Sequence, residues 1–424
     1  MTMQKLIEYK SGLKLVLAEN TAVRSVAIGV FVGAGVVNES ADIAGISHFI
    51  EHMVFKGTTN RSSFDIVNEI DSIGAQINAF TTKSYTAFHT VSLDSNLAKC
   101  ADVLADLYFN PTFDEEELQK ERKVVVEEIN ESEDTPDDVC IERLLSAFFK
   151  GSALEKPILG TKKTLKNMSG QTLREYHKKH YVAQNTVISI AGNCSEERAR
   201  EIVERFFESR FDAPQQYESP HAEQVAHKGT LTKKKKEIEQ AHIAFAFPSY
   251  PYNHEKGVAV QLMSVIFSME MSSRLFQSVR EKLGLCYTIV GYPSSYKDSG
   301  AYVIYTATNP QSVESAVVAI RREIDLLIEK GISDEELKKG KEQLKTSLVL
   351  GQESSSSMMR VFGSHALQTG ELYDFDKRIS LIDAVEKEDV LQVAREIFDF
   401  DAMCASIVAE QDGIDVARIM REGK

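Results

Sequence analysis

The feature that most constrains the fold of this 424-residue chain is an internal repeat. The segment Glu116-Glu117-Leu118 recurs as Glu335-Glu336-Leu337, at an offset of 219 residues. An apolar residue precedes the acidic cluster in both copies, Phe113 in the first and Ile332 in the second. A duplicated α/β unit accounts for the length of the chain better than two unrelated domains do.

The repeat also sets the predicted domain boundaries. We expect a first domain over residues 1–212, a polar linker over 213–229, and a second domain over 230–424. In each copy the hydrophobic patterns predict a helix, two strands and a further helix ahead of the acidic cluster. The fold class expected from this order is a pair of similar α/β domains.

Composition and charge restrict the functional classes. Apolar residues make up 43% and charged residues 26%, the balance of a globular protein, and a net charge of −14 argues against nucleic-acid binding. The lysine run over 233–236 is interpreted as a solvated turn or as protection of an edge strand. We find no signal-peptide core, no membrane-length apolar run and no paired cysteine motif, so we expect a cytoplasmic protein with no membrane partner.

The segment His48-Phe49-Ile50-Glu51-His52 carries the clearest chemical signal. Apolar residues at helical spacing predict an amphipathic helix over 43–56, which places His48, Glu51 and His52 on one face. Two imidazoles one turn apart can bind one metal ion, and a carboxylate beside them can accept a proton from metal-bound water. The order H-x-x-E-H is a zinc-peptidase signature. The alternative is two solvated histidines and a surface glutamate, so a third ligand is needed.

An acidic helix predicted over 114–130 can supply that ligand from Glu121, Glu127 or Glu128. Glu121 and Glu128 are seven residues apart and share one face, so one can bind the metal while the other orients a histidine. Glu127 points about a quarter-turn away. The run Val124-Val125-Val126 predicts that the helix is buried on a broad face, where carboxylates require partners.

The second copy lacks these donors. At the same offset Glu121 and Glu128 align with Gly340 and Ser347, and His48 aligns with Phe267. We therefore expect one metal site per chain.

With these motifs, the chain resembles the inverzincin peptidases of the pitrilysin and mitochondrial-processing-peptidase family, and particularly their short bacterial members. The resemblance extends over nearly the whole chain. It rests on H-F-I-E-H-M-V-F-K-G-T, which begins at His48, and on Glu128, 76 residues beyond His52, within E-R-K-V-V-V-E-E-I.

The resemblance implies a role for each residue of the predicted site. His48, His52 and Glu128 match the zinc ligands, Glu51 matches the general base, and Glu121 matches the supporting carboxylate. The implied cofactor is Zn²⁺, with one ion per chain.

Substrate-binding residues are implied in the same way. The segment Asn78-Ala79-Phe80-Thr81 resembles the family's edge strand, to which an extended peptide adds by main-chain pairing. In the second half, M-S-S-R-L-F and R-E-K-L-G-L-C-Y resemble the family's Arg–Tyr element. Arg280 would position substrate, and Tyr287 would hydrogen-bond the carbonyl or oxyanion. Ser268-Met269-Glu270 departs from the glycine cluster common in relatives, which puts glycine-loop substrate handling in doubt.

The fold class implied by the family is α+β, with two homologous α/β domains per chain and mostly antiparallel sheets flanked by helices. Family members enclose a chamber between two halves, and short members pair as homodimers. The expected function is therefore a zinc metalloendopeptidase that hydrolyses peptides or unfolded or precursor polypeptides. Arg280 and Tyr287 of the partner subunit would complete each site.

Two other classes stay open at this point. The chain could be a non-catalytic peptide-binding or assembly subunit of the same fold, although such members usually lose the zinc motif. It could also use the metal only structurally, which would require a fourth protein ligand. Of the remaining histidines, His89 is the one expected closest to the site.

Overall fold

The computed structural model describes residues 3–211, 217–218, 231–410 and 413–423. The predicted linker over 213–229 lies outside the described residues, apart from Tyr217 and Glu218. None of the described helices combines the length and the apolar character that a membrane crossing needs.

The strands coincide with short segments rich in β-branched and apolar residues, which pack well on a pleated surface. In chain order they are β1 (Met3–Glu8), β2 (Lys14–Glu19), β3 (Ser25–Val32), β4 (Gln76–Thr81), β5 (Thr86–Leu93), β6 (Thr186–Gly192), β7 (Leu231–Lys235), β8 (Ala241–Ser249), β9 (Cys286–Ser295), β10 (Gly300–Thr308) and β11 (Cys404–Ala409).

The helices follow segments in which apolar residues recur every three or four positions. In chain order they are α1 (Ile46–Val54), α2 (Ser63–Asp71), α3 (Leu97–Phe109), α4 (Glu115–Asp134), α5 (Pro136–Phe148), α6 (Lys162–Asn167), α7 (Gly170–His180), α8 (Glu196–Phe206), α9 (Gly257–Ser264), α10 (Val313–Lys330), α11 (Asp334–Gly351), α12 (Ser355–Thr369), α13 (Phe375–Ala384), α14 (Lys387–Ile397) and α15 (Val416–Glu422). A π-helical segment, Val265–Met269, continues α9.

The strands form a six-stranded and a five-stranded sheet, and apart from β1 the two sheets have matching order. The first sheet runs β1-β2-β6-β3-β5-β4, and the second runs β7-β11-β8-β10-β9. The described strand pairs are antiparallel except β2 with β6 and β7 with β11, which occupy corresponding places. This arrangement of helices around two mostly antiparallel sheets confirms the predicted α+β fold class.

The described chain divides into two compact units, each built around one sheet. The first unit contains residues of 1–129, 156–220 and 349–374, and the second contains residues of 130–155, 221–348 and 375–424. Neither unit is a contiguous half of the chain, because α5 packs on β8 and β11, and α12 packs on β3 and β6. The boundaries at 212 and 230 describe the sequence repeat and remain a prediction.

Two glycines allow α12 to lie close to the first sheet. A Cβ at Gly29 of β3 would lie 2.4 Å from the Met359 sulfur, and a Cβ at Gly363 of α12 would lie 2.2 Å from the Phe31 ring. Both distances are too short for real atoms, so a larger residue at either position would force α12 away. This close packing fixes which α12 side chains reach the sheet.

Candidate metal centre

Gly45 and the carboxylate of Glu39 define the N-terminus of helix α1, which carries the H-x-x-E-H motif. Gly45 adopts the left-handed conformation, with φ of 92°, in which an L side chain is strained. The buried carboxylate of Glu39 accepts hydrogen bonds from the Gly45 and Ser47 N–H groups at 2.8 and 3.0 Å. Burial raises the pKa of Glu39 more than these hydrogen bonds lower it. This contact was not predicted from the sequence, although an acidic residue shortly before a helix was a usable signal.

The three predicted metal ligands lie together in the first unit. His48 Nε2 is 3.7 Å from Glu128 Oε2, and His52 Nε2 is 3.5 Å from Glu128 Oε1. One donor atom from each of the three residues lies within 4.8 Å of the other two. These distances are long for hydrogen bonds, but two ligands of a tetrahedral zinc ion are about 3.4 Å apart, given bonds near 2.1 Å. The donor set therefore fits zinc.

The protonation states and unpaired atoms of these residues also suit a metal ion. Burial and the neighbouring His52 lower the pKa of His48 to about 3, so its ring is neutral at pH 7 with a free lone pair. Glu128 Oε2 is buried without a hydrogen-bond partner among the described residues. An unpaired buried carboxylate oxygen is costly, and a cation between it and the imidazoles would remove that cost.

Glu121 supports the site from α4 rather than joining the donor set. Its Oε1 lies 2.8 Å from His52 Nδ1, and its Oε2 pairs with Lys56 Nζ at 2.6 Å. Burial alone would raise the pKa of Glu121, but these two hydrogen bonds lower it overall. The carboxylate thus favours a proton on His52 Nδ1, which leaves Nε2 directed toward Glu128 as a ligand.

The prediction that α4 is buried on a broad face is wrong. The side chains buried on this helix are Leu118, Glu121, Val125 and Ile129, which form a narrow stripe, whereas Val124 is 46% exposed. A stripe of residues three or four apart is the face that one helix presents to one layer. Glu121 belongs to this stripe, so its burial does not require a wide apolar surface.

Glu51 lies on the same face of α1 and contacts the sheet. The Thr81 hydroxyl donates a hydrogen bond of 2.6 Å to Glu51 Oε2. Burial raises the pKa of Glu51, more than the hydrogen bond from Thr81 and the charge of His52 lower it. A carboxylate with a raised pKa is better matched to accepting and returning a proton near neutral pH. The Thr81 contact was not predicted, because the sequence pattern places Thr81 only in the edge strand and gives no signal for a contact with a residue 30 positions away.

Strand β4, with Asn78, Ala79 and Phe80, lies at the edge of the first sheet, as the resemblance implied. The Asn78 side-chain oxygen accepts a hydrogen bond of 2.8 Å from the Ala79 N–H. His89 pairs with Asn78 across the ladder and lies behind the edge strand. An open edge of this kind has main-chain groups that can pair with an added strand.

Arg280 and Tyr287 belong to the second unit. The Arg280 guanidinium lies 4.4 Å from the Phe276 ring centroid and 5.0 Å from that of Tyr287. Tyr287 is 74% exposed and lies near the start of the edge strand β9. The contact with the Arg280 guanidinium positions the Tyr287 ring, whose exposed side chain can contact a bound molecule.

The chain matches known proteins over most of its length. Residues 14–162 match the family described as insulinase (peptidase family M16), and residues 167–344 match the peptidase M16 inactive domain. The chain is 41% identical to the uncharacterized zinc protease YmxG of Bacillus subtilis, over 94% of this chain and 96% of that protein. It is 35% identical to an uncharacterized zinc protease of Rickettsia felis, over 92% and 93% of the two chains.

Solved structures with the same fold cover nearly the whole chain. A protease from Helicobacter pylori superposes with a TM-score of 0.90 at 20% identity, covering 96% of this chain and 99% of that one. A peptidase M16 inactive domain from Pseudomonas fluorescens gives a TM-score of 0.90 at 17% identity, with coverage of 97% and 99%. The chain belongs to peptidase family M16, which confirms the family resemblance seen in the sequence.

Proposed function

We propose that this chain is a zinc metalloendopeptidase that hydrolyses peptides or unfolded or precursor polypeptides. The observation that carries the proposal is the convergence of His48, His52 and Glu128 at distances suited to one shared ion. In this proposal each chain binds one Zn²⁺ through these three residues, and Glu121 orients His52. Three protein ligands are typical of a catalytic zinc site, since structural sites usually use four.

The proposed chemistry divides between the ion and the chain. When bound, zinc supplies Lewis acidity, which polarises a carbonyl and makes water a stronger acid. Glu51 acts as the general base, accepting the proton of the attacking water and then delivering it to the leaving amine. The Thr81 hydroxyl holds one oxygen of Glu51, which leaves the other carboxylate oxygen for proton transfer.

Substrate binds in this proposal as an extended strand along β4. Main-chain pairing with an edge strand gives affinity with little dependence on sequence. Ala79 would pair with the substrate backbone after the Asn78 side chain releases the Ala79 N–H, and Phe80 would line the neighbouring position.

The proposal also includes a homodimer in which Arg280 of the partner subunit positions substrate and Tyr287 of the partner subunit stabilises the oxyanion. The support is the family resemblance, together with the exposure of Tyr287 and its contact with the Arg280 guanidinium. Positioned donors of this kind stabilise charge that develops in the transition state.

Glu51→Gln tests this function most simply. We expect the variant to bind zinc like the unmodified chain but to cleave a quenched peptide library roughly 10²–10⁴-fold more slowly, because the proton acceptor is lost. Glu131→Gln, an exposed change on α4, is the matched control and should leave the rate unchanged. Cleavage by Glu51→Gln at the unmodified rate would contradict the assignment. Zinc and peptide binding without hydrolysis in the unmodified chain would favour the non-catalytic alternative.

A further inference from the structure

Neighbouring residues of the edge strand β4 face opposite sides of the first sheet. The Thr81 side chain contacts Glu51 on the side of α1, whereas the Phe80 ring lies 5.9 Å from the His89 ring on the other side. Alternation of this kind follows from the pleat of a β-strand. Helix α12 packs on the same side as Phe80 and His89, and it places Arg360 there.

Arg360 is an exposed cation that forms no ion pair among the residues the structure describes. Its guanidinium lies 5.8 Å from the centroid of the Phe80 ring, and its Nη2 is 3.4 Å from His89 Nε2. Across the described parts of the chain, this guanidinium forms no ion pair with a carboxylate. Most other arginines of the first unit bond to carboxylates or main-chain carbonyls, as Arg61 and Arg122 do.

The groups around Arg360 do not neutralise its charge. Burial, with a smaller effect from Arg360, lowers the pKa of His89 to about 4, so this ring is neutral at pH 7. Burial raises the pKa of the Tyr85 hydroxyl, more than Arg360 and Ser364 lower it, so this group is neutral as well. Arg360 therefore contributes an unneutralised positive charge beside β4, in a chain whose overall charge is −14.

A polypeptide strand paired with β4 would present its side chains to both sides in turn. This step rests on the proposed function, in which substrate adds to that edge. Substrate residues opposite Ala79 and Thr81 would share their side of the sheet with α1 and the metal donors. The residues between them would face Phe80 and Arg360.

We propose that Arg360 and Phe80 form a subsite that selects an acidic side chain of the bound polypeptide. The selected residue is adjacent in sequence to those that face the metal side. The guanidinium supplies the charge and paired N–H donors for a carboxylate, and the Phe80 ring packs against the aliphatic part of a Glu side chain.

Pairs of peptides that differ only by Glu or Gln test this proposal by their binding and by their rate of cleavage. An extended peptide series with Glu or Gln at each position in turn is bound to the full-length zinc-loaded Glu51→Gln variant and is cleaved by the unmodified chain. We expect Glu to improve binding and kcat/KM about three- to tenfold at one position, and the preference to weaken at high salt.

Substitutions of Arg360 should change only the preference for Glu over Gln in the peptide. Arg360→Gln should abolish the discrimination between Glu and Gln, and Arg360→Glu should favour Lys at the same position. Lys163→Glu, an exposed change of equal charge on α6, should keep the preference for Glu.

Three outcomes would overturn the subsite, and the third is distinguishable from the first two. Cleavage of the peptides with an unchanged Glu preference in Arg360→Gln, or with no Glu preference in the unmodified chain, would contradict the subsite and leave the peptidase proposal intact. Failure of the unmodified chain to bind or cleave any peptide would contradict the proposed function and the subsite together.

Discussion

The two compact units share an equivalent helix–helix contact, but the residues at this contact differ in their chemistry. In the first unit, α4 contributes Glu121 to the motif helix α1, where it bonds to His52. At the 219-residue offset the second unit has Gly340 on α11, where a Cβ would lie 2.7 Å from Ile266 and 2.9 Å from Leu262. A carboxylate at this contact bonds to a histidine of the candidate metal cluster, whereas a glycine lets two helices close into apolar packing.

The edge strands extend this comparison. By sheet order β9 corresponds to β4, and each carries residues proposed to bind substrate: Ala79 and Phe80 on β4, and Tyr287 on β9. The two units therefore share one framework but differ in side-chain chemistry. The first unit carries a His-His-Glu cluster that could hold a metal ion, and the second carries a partly buried Arg280 beside the exposed Tyr287.

The largest expected difference between the two units is in how much stability each loses at acidic pH. Burial is the main cause that lowers the pKa of His89, His177 and His180, all in the first unit, to about 4, from an unfolded value near 6.5. Between these values the unfolded chain binds protons that the folded unit does not. The contribution of these three histidines to stability therefore falls as pH decreases through this window, by up to about 1.4 kcal/mol per pH unit for each.

Hydrogen exchange of the metal-free protein at pH 7 and pH 5, corrected for intrinsic rates, measures this difference. Amides of β5 and α7 should lose more protection than amides of β8 and β10, because His242 is the one histidine of lowered pKa among the described residues of the second unit. Equal losses in the two sheets would contradict the contrast.

Glu121→Gln should weaken the metal site without removing it. The amide oxygen accepts a weaker hydrogen bond from His52 Nδ1–H than a carboxylate does, so zinc affinity should fall about 10–100-fold. Competition with a chelator of known affinity measures the change, and Glu131→Gln on the same helix should keep the original affinity. An unchanged affinity in Glu121→Gln would show that this carboxylate does not support the site.

Gly340→Ala tests the apolar contact in the second unit. The added methyl group would crowd Leu262 and Ile266, so we expect a loss of about 1–2 kcal/mol in the free energy of unfolding, despite alanine's better helix propensity. Gly351→Ala at the end of α11 meets no atom within 4 Å and should be neutral or slightly stabilising. Equal effects of the two substitutions on urea denaturation midpoints would rule out the proposed close packing.

Local spacing explains what could be predicted from sequence. His48, Glu51 and His52 share a helical face, and Glu121 and Glu128 share another, so each group could be placed by its own periodicity. The convergence of the two helices came only from the metal hypothesis and the family resemblance.

Contacts between distant segments account for what was missed. The Glu51–Thr81 hydrogen bond joins residues 30 apart, and the His89–Arg360 contact joins residues 271 apart, with no periodic signal to reveal either. The packing of α5 on the second sheet and of α12 on the first escaped prediction for the same reason, since the repeat suggested contiguous domains.

Zinc content per chain tests the central claim most directly. Elemental analysis after purification and dialysis should find one zinc per unmodified chain and per Glu131→Gln chain, and far less in Glu128→Gln, because the amide supplies a poorer ligand at the point where both imidazoles converge. Full zinc occupancy in Glu128→Gln under the same dialysis would show that the metal is held elsewhere.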